Sequence, residues 1–300
     1  MRDLSGDASG LAFAAGWSAV RRMPAPMAGA TFRGLADQAW LRHGKSVQQL
    51  EKNLRRVVPD ASTRELRELS RESMRSYLRY WCEAFRLPDL THEQILATHI
   101  CVGEENIVQG LQSGRGAIMT LAHSGNWDHA GAWLALSHGR FTTVAERLRP
   151  ESLYERFLSY RRSLGMEVLP LTGEGGPFRT LLERARAGGM ICLLGDRDLT
   201  EHGVQVTFFG EVTKMPAGPA ALAIASGAPL LPATLWFGDR RSWTRIHEEI
   251  PVPPTGTRAE KVAVMTQACA DVFQQGISEH PEDWHMLQRL WLADLPAGRR

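Results

Sequence analysis

The residues whose types and spacing best suit chemistry follow a short apolar segment near the middle of the chain. Residues 117–122 (AIMTLA) predict a buried strand, and they run directly into the sequence His123-Ser-Gly-Asn-Trp-Asp128. A neutral imidazole can remove a proton from a hydroxyl, while a carboxylate fixes its tautomer and stabilises the imidazolium that forms. In open α/β sheets, ligands bind at the carboxyl ends of strands. His123 and Asp128 therefore predict a site that activates a hydroxyl group.

The local backbone has to fold back for His123 to reach Asp128. Asn126 is a natural N-cap for a helix that begins at Trp127, which puts Asp128 in the first turn. On one continuous helix, residues five positions apart point about 140° away from each other, so His123 must lie in the turn before the helix. Gly125 gives that turn the necessary backbone freedom. Ordinary structural interpretations also exist: a hydrogen-bonded histidine at a strand end, and a capping aspartate.

The elements around this turn alternate between short apolar segments and amphipathic helices. This alternation predicts an α/β fold: a central mixed, largely parallel sheet of about seven strands flanked by helices. The connection before the strand at 204–209 is too short for a crossover helix, which predicts at least one antiparallel neighbour. Residues 1–113 form a predicted N-terminal helical region, and residues 114–300 the α/β catalytic core, within a single domain of residues 1–300. The predicted strands are 117–122, 141–145, 166–171, 190–194, 204–209, 228–236 and 243–250, and the N-terminal helices are 8–22, 25–43, 46–57 and 62–85.

Composition limits the classes of function. The chain has 300 residues, 43% of them hydrophobic, and a formal net charge of only +2, so no overall field points to nucleic acid as a partner. Its four cysteines form no close pair, which predicts reduced thiols in a cytosolic protein. We expect no metal, because the helix points His129 away from His123, and no cofactor. No apolar run reaches the roughly 18 residues of a membrane span, so any contact with a bilayer is peripheral.

Five segments, in order along the chain, carry a resemblance to a known family. The chain resembles the His-x4-Asp acyltransferases that include the lipid A acyltransferases, and most closely the actinobacterial enzymes that acylate phosphatidylinositol mannosides. The segments are AHSGNWDHAGAWL (122–134), FTTVAERLRPESLYERFLSYRRSLGMEVLPL (141–171), DRDLT (196–200), VTFFGEVTKMPAGPAALA (206–223) and HPEDWHMLQRLWLADL (280–295). They span well over half of the sequence.

The resemblance implies a reaction and two catalytic residues. Such enzymes transfer palmitoyl from its coenzyme A thioester (acyl-CoA, a co-substrate) to the 6-hydroxyl of a mannose on phosphatidylinositol mannosides, a glycolipid acceptor. His123 then corresponds to the general base and Asp128 to its orienting partner. The enzyme rivals are transfer to another lipid acceptor, such as a lysophospholipid or other glycolipid, and a hydrolase with Ser124 as nucleophile or water as acceptor. Ser124 lacks the Gly-x-Ser-x-Gly elbow of serine hydrolases.

Further residues are implied to bind substrate. Glu146 and Asp196, each just after a predicted strand, resemble acidic residues of a sugar pocket, since carboxylates accept hydrogen bonds from hydroxyls. Arg161, or Arg162 beside it, falls where the family has a basic residue near the donor, although a surface ion pair is the alternative. Weaker candidates complete the set: Arg197 and Asp198, which also fit simple pairing with neighbours, and His202.

Membrane attachment is predicted from basic residues on the N-terminal helices. Five arginines between Arg64 and Arg79 recur at spacings of three or four and draw one stripe on a helix. Such a stripe suits an anionic membrane surface at the cytoplasmic face of the cell membrane, although a salt-bridged solvent face has the same pattern. Phe13 and Trp17, followed by Arg21 and Arg22, suit either an interfacial helix or one packed on the sheet. A lipid-binding protein without catalysis is the third rival, but it needs no His-Asp pair.

Overall fold

A seven-stranded sheet forms the centre of the molecule. The computed structural model describes residues 16–145, 151–171, 176–198, 200 and 202–295. The strands are β1 (His99–Val102), β2 (Ala117–Leu121), β3 (Phe141–Ala145), β4 (Met166–Pro170), β5 (Met190–Leu194), β6 (Val204–Phe208), β7 (Glu211–Met215), β8 (Leu230–Phe237) and β9 (Ser242–Ile246). The order across the sheet is β1-β9-β8-β2-β5-β3-β4, and β6 pairs with β7 in a separate hairpin. Within the sheet, β8 and β9 are antiparallel and the other adjacent pairs are parallel.

Helices cover both faces of the sheet. They are α1 (Ala25–Leu41), α2 (Lys45–Val57), α3 (Thr63–Arg86), α4 (His92–Ala97), α5 (Glu104–Gln112), α6 (Trp127–His138), α7 (Glu151–Ser163), α8 (Phe178–Arg186), α9 (Gly218–Ser226) and α10 (Arg258–Glu279). Successive residues of a strand point to opposite faces, so Ile118 of β2 packs with α8, α9 and α10, while Met119 packs with α5, α6 and α7. Two apolar cores therefore hold β2 rigidly from both sides.

The N-terminal helices α1, α2 and α3 pack on one another around a smaller core that includes Leu50, Leu54 and Met74. Buried Asn53 of α2 joins this layer to the C-terminal segment, since its Nδ2 donates to the Met286 carbonyl at 2.7 Å and the Gln288 carbonyl at 2.9 Å. The buried carbonyls need such a partner, because an unmet polar group in the interior costs about 1–3 kcal/mol. The helical layer is thus tied to the segment that reaches the site.

The predicted fold class is confirmed: the sheet is mixed, largely parallel and seven-stranded. Two details differ from the sequence analysis. The predicted helical region 1–113 contains β1, which joins the sheet beside β9. The strand predicted at 204–209 has its antiparallel neighbour in β7, which follows it and was not predicted, and not in the strand before it. The helix predicted at 8–22 is helical over residues 16–22, and its earlier part lies outside the described residues.

Candidate functional site

The turn after β2 is shaped by a glycine and an asparagine. Gly125 has φ of 57°, and a Cβ on it would lie 2.9 Å from the backbone nitrogen of Trp236, so this position requires glycine. The Asn126 side chain accepts a hydrogen bond from the His129 N–H at 3.0 Å, which confirms the predicted N-cap of α6. Its amide also donates to Glu83 of α3 at 3.0 Å. The turn is thus fixed between the sheet and the N-terminal helices.

His123 faces Asp196 across two neighbouring strands. Its Nδ1 lies 2.6 Å from Asp196 Oδ1, and its backbone N–H donates to Asp196 Oδ2 at 3.0 Å. Strands β2 and β5 are parallel neighbours in which Leu121 lies opposite Leu194, so the residues two positions beyond each strand end meet. Asp196 is fully buried, whereas the His123 side chain is 34% exposed. A buried carboxylate therefore holds one ring nitrogen while the ring stays open to solvent.

The electrostatics of this pair favour its charged form. Burial lowers the pKa of His123, but the charge and hydrogen bond of Asp196 raise it by more, against the positive Arg197 and Arg161, so the net shift is upward. Burial raises the pKa of Asp196, but His123 and the indole N–H of Trp284 together hold it below its ordinary value. Asp196 is thus an anion near neutral pH, and it stabilises an imidazolium if His123 takes up a proton.

Asp128 belongs to a different cluster, which corrects the predicted contact with His123. Its Oδ1 accepts from Arg161 Nε at 2.9 Å and its Oδ2 from the Tyr80 hydroxyl at 2.8 Å. The first turn of α6 places Asp128 against α3 and α7, whereas the turn at Gly125 directs His123 toward β5. Burial lowers the pKa of Arg161, but Asp128 raises it by more, so this guanidinium stays charged. Any catalytic part played by Asp128 remains a prediction.

The other predicted site residues are dispersed. Asp196 is not free for a sugar pocket, because its two oxygens are used by His123 and Trp284. Arg197 is exposed and donates to the Arg289 carbonyl at 3.2 Å, and Asp198 accepts from the backbone N–H of Thr200 at 2.9 Å. His202 and Arg162 are exposed, and Glu146 lies outside the described residues. Of the two arginines considered, Arg161 is therefore the one that faces the site. The substrate contacts of the predicted residues other than Asp196 stay predictions.

A narrow apolar cavity of about 90 Å³ lies beside this cluster. Its charged lining residues are Asp128 and Arg161, and the rest of the wall comes from strands of the sheet and from α5 and α6. Trp127 lines the same cavity, and its ring centroid lies 5.6 Å from that of His123. The cavity thus has two charged groups in its lining and an otherwise largely apolar wall. Its apolar walls include Met119, Leu121, Trp133, Leu134, Phe141, Val144, Met166, Leu194, Leu235 and Ile246.

Several residues at the site carry no local sequence signal. Tyr80 comes from α3 and Trp284 from the C-terminal segment, and both donate to site carboxylates. Trp284 lies in the segment HPEDWH, which is part of the family resemblance, but the resemblance implied no role for this tryptophan. Three buried polar atoms of the site have no hydrogen-bond partner in the part of the chain that the structure describes: Trp127 Nε1, Tyr160 Oη and Ser124 Oγ. Among the described residues, no group of three or more His, Cys, Asp or Glu is placed to hold a metal ion.

The Asp128 cluster makes a stability prediction. The Arg161→Met variant should lose about 3 kcal/mol of unfolding free energy, because breaking a buried ion pair leaves an uncompensated charge. Adding Asp128→Asn should restore part of that loss. Urea unfolding followed by circular dichroism measures both, with the exposed neighbour Arg162→Met as control. An Arg161→Met variant no less stable than Arg162→Met contradicts the assignment.

Comparison with known proteins assigns the chain to a family. The family model for bacterial lipid A biosynthesis acyltransferases matches residues 8–293. A phosphatidylinositol mannoside acyltransferase of Mycolicibacterium smegmatis is 48% identical over 298 residues, which cover 99% of this chain and 96% of that protein. The enzymes of the same name from two Mycobacterium tuberculosis strains are 48% identical over 294 residues, 96% of this chain and 90% of each relative. The chain therefore belongs to the bacterial lipid A biosynthesis acyltransferase family.

Proposed function

We propose that this acyltransferase moves palmitoyl from acyl-CoA to the 6-hydroxyl of a mannose on a phosphatidylinositol mannoside, with His123 as general base. The observation that carries the mechanism is the 2.6 Å contact between His123 Nδ1 and Asp196. Because Nδ1 is engaged by the carboxylate, Nε2 is the nitrogen that can accept a proton from a substrate. The relatives act on phosphatidylinositol mannosides by name, which supports the choice of acceptor.

The chemistry is a direct transfer. His123 Nε2 takes the proton of the mannose hydroxyl as its oxygen forms a bond to the thioester carbonyl carbon. The carbon–sulfur bond then breaks, and the coenzyme A thiolate leaves with the proton returned by the imidazolium. Asp196 fixes the tautomer of His123 and stabilises the imidazolium, as a carboxylate does in general-base pairs. Transfer should therefore decline as pH falls through the pKa of His123, which lies above its ordinary value.

The serine-hydrolase alternative has no support at Ser124. The Ser124 Oγ is buried and has no hydrogen-bond partner among the described residues, so none of these residues is placed as a base to activate it. A nucleophilic serine needs such a base within hydrogen-bond reach.

The cavity beside Asp128 and Arg161 is the proposed contact for the acyl chain of the donor. An acyl chain in its apolar interior leaves the thioester near Trp127 and His123, and the exposed positive charge of Arg197 suits the anionic phosphates of coenzyme A. Burial of each methylene group of the acyl chain stabilises donor binding by about 0.8 kcal/mol, so the transfer rate should depend on the length of the acyl chain.

The surface of α1 supports peripheral membrane attachment. Met27, Leu35 and Leu41 are 57%, 47% and 70% exposed. Arg33 of the same helix and Arg42, directly after its last residue, are exposed as well. Apolar side chains beside basic ones are typical of helices that lie in a membrane interface. No helix in the described part of the chain is long and apolar enough to cross a membrane. The face of α1 is therefore the proposed contact with the anionic cytoplasmic surface.

The predicted arginine stripe of α3 is occupied by ion pairs. Its partners on other helices are Glu51 and Asp37, and its partners on α3 itself are glutamates. A salt-bridged solvent face therefore explains the arginine stripe better than lipid contact does. Trp17 packs on Phe85 and Tyr160, as in a helix packed on the protein. The pairs are Arg64–Glu68, Arg67–Glu51, Arg71–Asp37, Arg75–Asp37, Arg75–Glu72 and Arg79–Glu83.

The reaction is tested with purified protein, palmitoyl coenzyme A and a panel of acceptors, with the products identified by mass. Mono- or dimannosylated phosphatidylinositol should be acylated much faster than lysophosphatidate.

His123→Ala should reduce transfer by about 100- to 10,000-fold, the usual range for a general base. Ser124→Ala should keep most activity. A folded but inactive Ser124→Ala, with an acyl adduct on Ser124 in the parent, would overturn direct transfer; equal rates on lysophosphatidate would remove the mannoside acceptor.

Gly131 of α6 tests the acyl cavity. A Cβ there would lie 2.6 Å from Met166 Cε and 3.1 Å from Phe141 Cζ, both in the cavity wall. Gly131→Ala should therefore narrow the cavity and lower the ratio of palmitoyl to octanoyl transfer by about fivefold, since overpacking costs about 1 kcal/mol or more. Competition between the two donors measures the ratio. Gly34→Ala, a helical glycine with open space around it, is the control. If folded Gly131→Ala has an unchanged ratio of palmitoyl to octanoyl transfer, the acyl chain does not lie in this cavity.

The membrane proposal is tested by vesicle sedimentation. Leu35→Glu with Leu41→Glu should weaken binding to anionic vesicles by about tenfold or more, because each buried leucine contributes about 1.5–3 kcal/mol. Val264→Glu, which replaces an exposed apolar residue of α10, is the control. Binding should also weaken as salt screens Arg33 and Arg42. If both glutamate variants bind alike, α1 is not the contact.

A further inference from the structure

The C-terminal segment around Trp284 lies directly against the turn that carries His123. The Gly125 N–H donates to the Asp283 carbonyl at 3.0 Å, and the His285 N–H donates to the His123 carbonyl at 2.8 Å. Ser124 and Trp284 form an antiparallel bridge between these contacts. The backbone from His123 to Gly125 is therefore held by a short ladder to a segment more than 150 residues away in the sequence.

Trp284 also reaches the carboxylate behind His123. Its indole Nε1 donates to Asp196 Oδ2 at 3.2 Å, the same oxygen that accepts the His123 backbone N–H. The side chain is fully buried, and its ring packs on Phe208 at 6.0 Å and on Trp291 at 6.1 Å between centroids. Because aromatic neighbours fix the plane of the indole, the donor has a fixed direction.

We propose that Trp284 is a positioning residue for acyl transfer: its indole N–H orients the Asp196 carboxylate so that Oδ1 faces His123 Nδ1. The proposal rests on the proposed function of His123 as general base. Oδ2 is engaged by two donors, and this leaves Oδ1 to the imidazole alone. An aspartate free to rotate about its last side-chain bond would divide its oxygens between the backbone and the ring. The result of the constraint is one tautomer of His123, with the proton on Nδ1 and Nε2 open to substrate.

Removal of the indole donor should shift the pKa of His123 in a predictable direction. The groups that face His123 are Asp196 and Arg197 after β5, Arg161 of α7, whose charge is paired with Asp128, and His285. Without the indole N–H, the negative charge of Asp196 is less stabilised and Oδ1 becomes a stronger acceptor. The imidazolium gains stability, so the pKa of His123 rises. The acidic limb of the rate profile should move to higher pH, because transfer needs the neutral ring.

The chain offers a matched control for this substitution. Trp291 is also fully buried in the same aromatic cluster, but its Nε1 donates to the Phe208 carbonyl at 2.9 Å. Trp284→Phe and Trp291→Phe thus each remove one buried indole hydrogen bond, and Trp284→Phe alone removes a donor to Asp196. Both variants also replace a large buried ring by a smaller one.

The experiment combines a ring titration with a rate profile. The pKa of His123, followed by ¹H–¹⁵N NMR of the full chain, should rise by about half a unit in Trp284→Phe, a fraction of the contribution of one hydrogen bond to a charged group. The acidic limb of kcat/KM should shift with it, and kcat should fall by about tenfold while KM stays near its original value. Trp291→Phe should leave the titration and the limb unchanged.

Two outcomes overturn the inference: a folded Trp284→Phe in which the pKa of His123 does not rise, or an equal rise in Trp291→Phe. If Trp284→Phe does not fold, replacement of Trp284 by 3-benzothienylalanine keeps the bicyclic shape and removes only the donor, with the same expected shift. The NMR readout does not depend on the reaction. If the His123→Ala variant still transfers the acyl group, the proposed function is wrong. The titration in the parent and in Trp284→Phe still decides whether Trp284 acts on Asp196.

Discussion

The contact between His123 and the buried Asp196 is the interaction on which the site depends. Removing a carboxylate from water costs several kcal/mol, so an anion in this position is stable only if donors replace the lost hydration. Asp196 receives the His123 ring, the His123 backbone N–H and the Trp284 indole. These donors come from the end of β2 and from the C-terminal segment. The carboxylate therefore stays charged only while the sheet, the turn and the C-terminal segment are all assembled.

The sheet supplies the first part of this assembly. Strands β2 and β5 end at the same level, and the Gly195 N–H continues their ladder by donating to the Leu121 carbonyl at 2.8 Å. A side chain at Gly195 would collide with Thr120, so glycine allows the two strand ends to approach. The N-terminal helices supply the second part, since α3 presents Tyr80 to Asp128 and Glu83 to Asn126. The two carboxylates of the site are thereby separated into two environments: Asp196 with the imidazole, Asp128 with a guanidinium and a phenol.

Sequence alone predicts the parts of this arrangement that depend on near neighbours. The apolar segment before His123, the cap at Asn126 and the start of α6 follow from local pattern and are all found. The partner of His123 was mispredicted because β3 and β4 intervene in the sequence between β2 and β5, and only the strand order brings Asp196 beside the imidazole. Strand β1 was missed because it has four residues, too few to show a period. Tyr80 and Trp284 reach the site through tertiary packing, which no spacing within the sequence encodes.

The most direct test of the account is the pKa of His123, measured by ¹H–¹⁵N NMR in the parent and in two single variants, Asp196→Asn and Asp128→Asn. Asp196 raises the pKa of His123 in the folded protein, whereas Asp128 is engaged by Arg161 and Tyr80. The account predicts that Asp196→Asn lowers this pKa below its ordinary value, because burial and the positive Arg197 and Arg161 then act unopposed. Asp128→Asn should leave it at or slightly below the parent value. A large fall in Asp128→Asn together with a parent-like titration in Asp196→Asn would contradict the central claim that Asp196 holds the base.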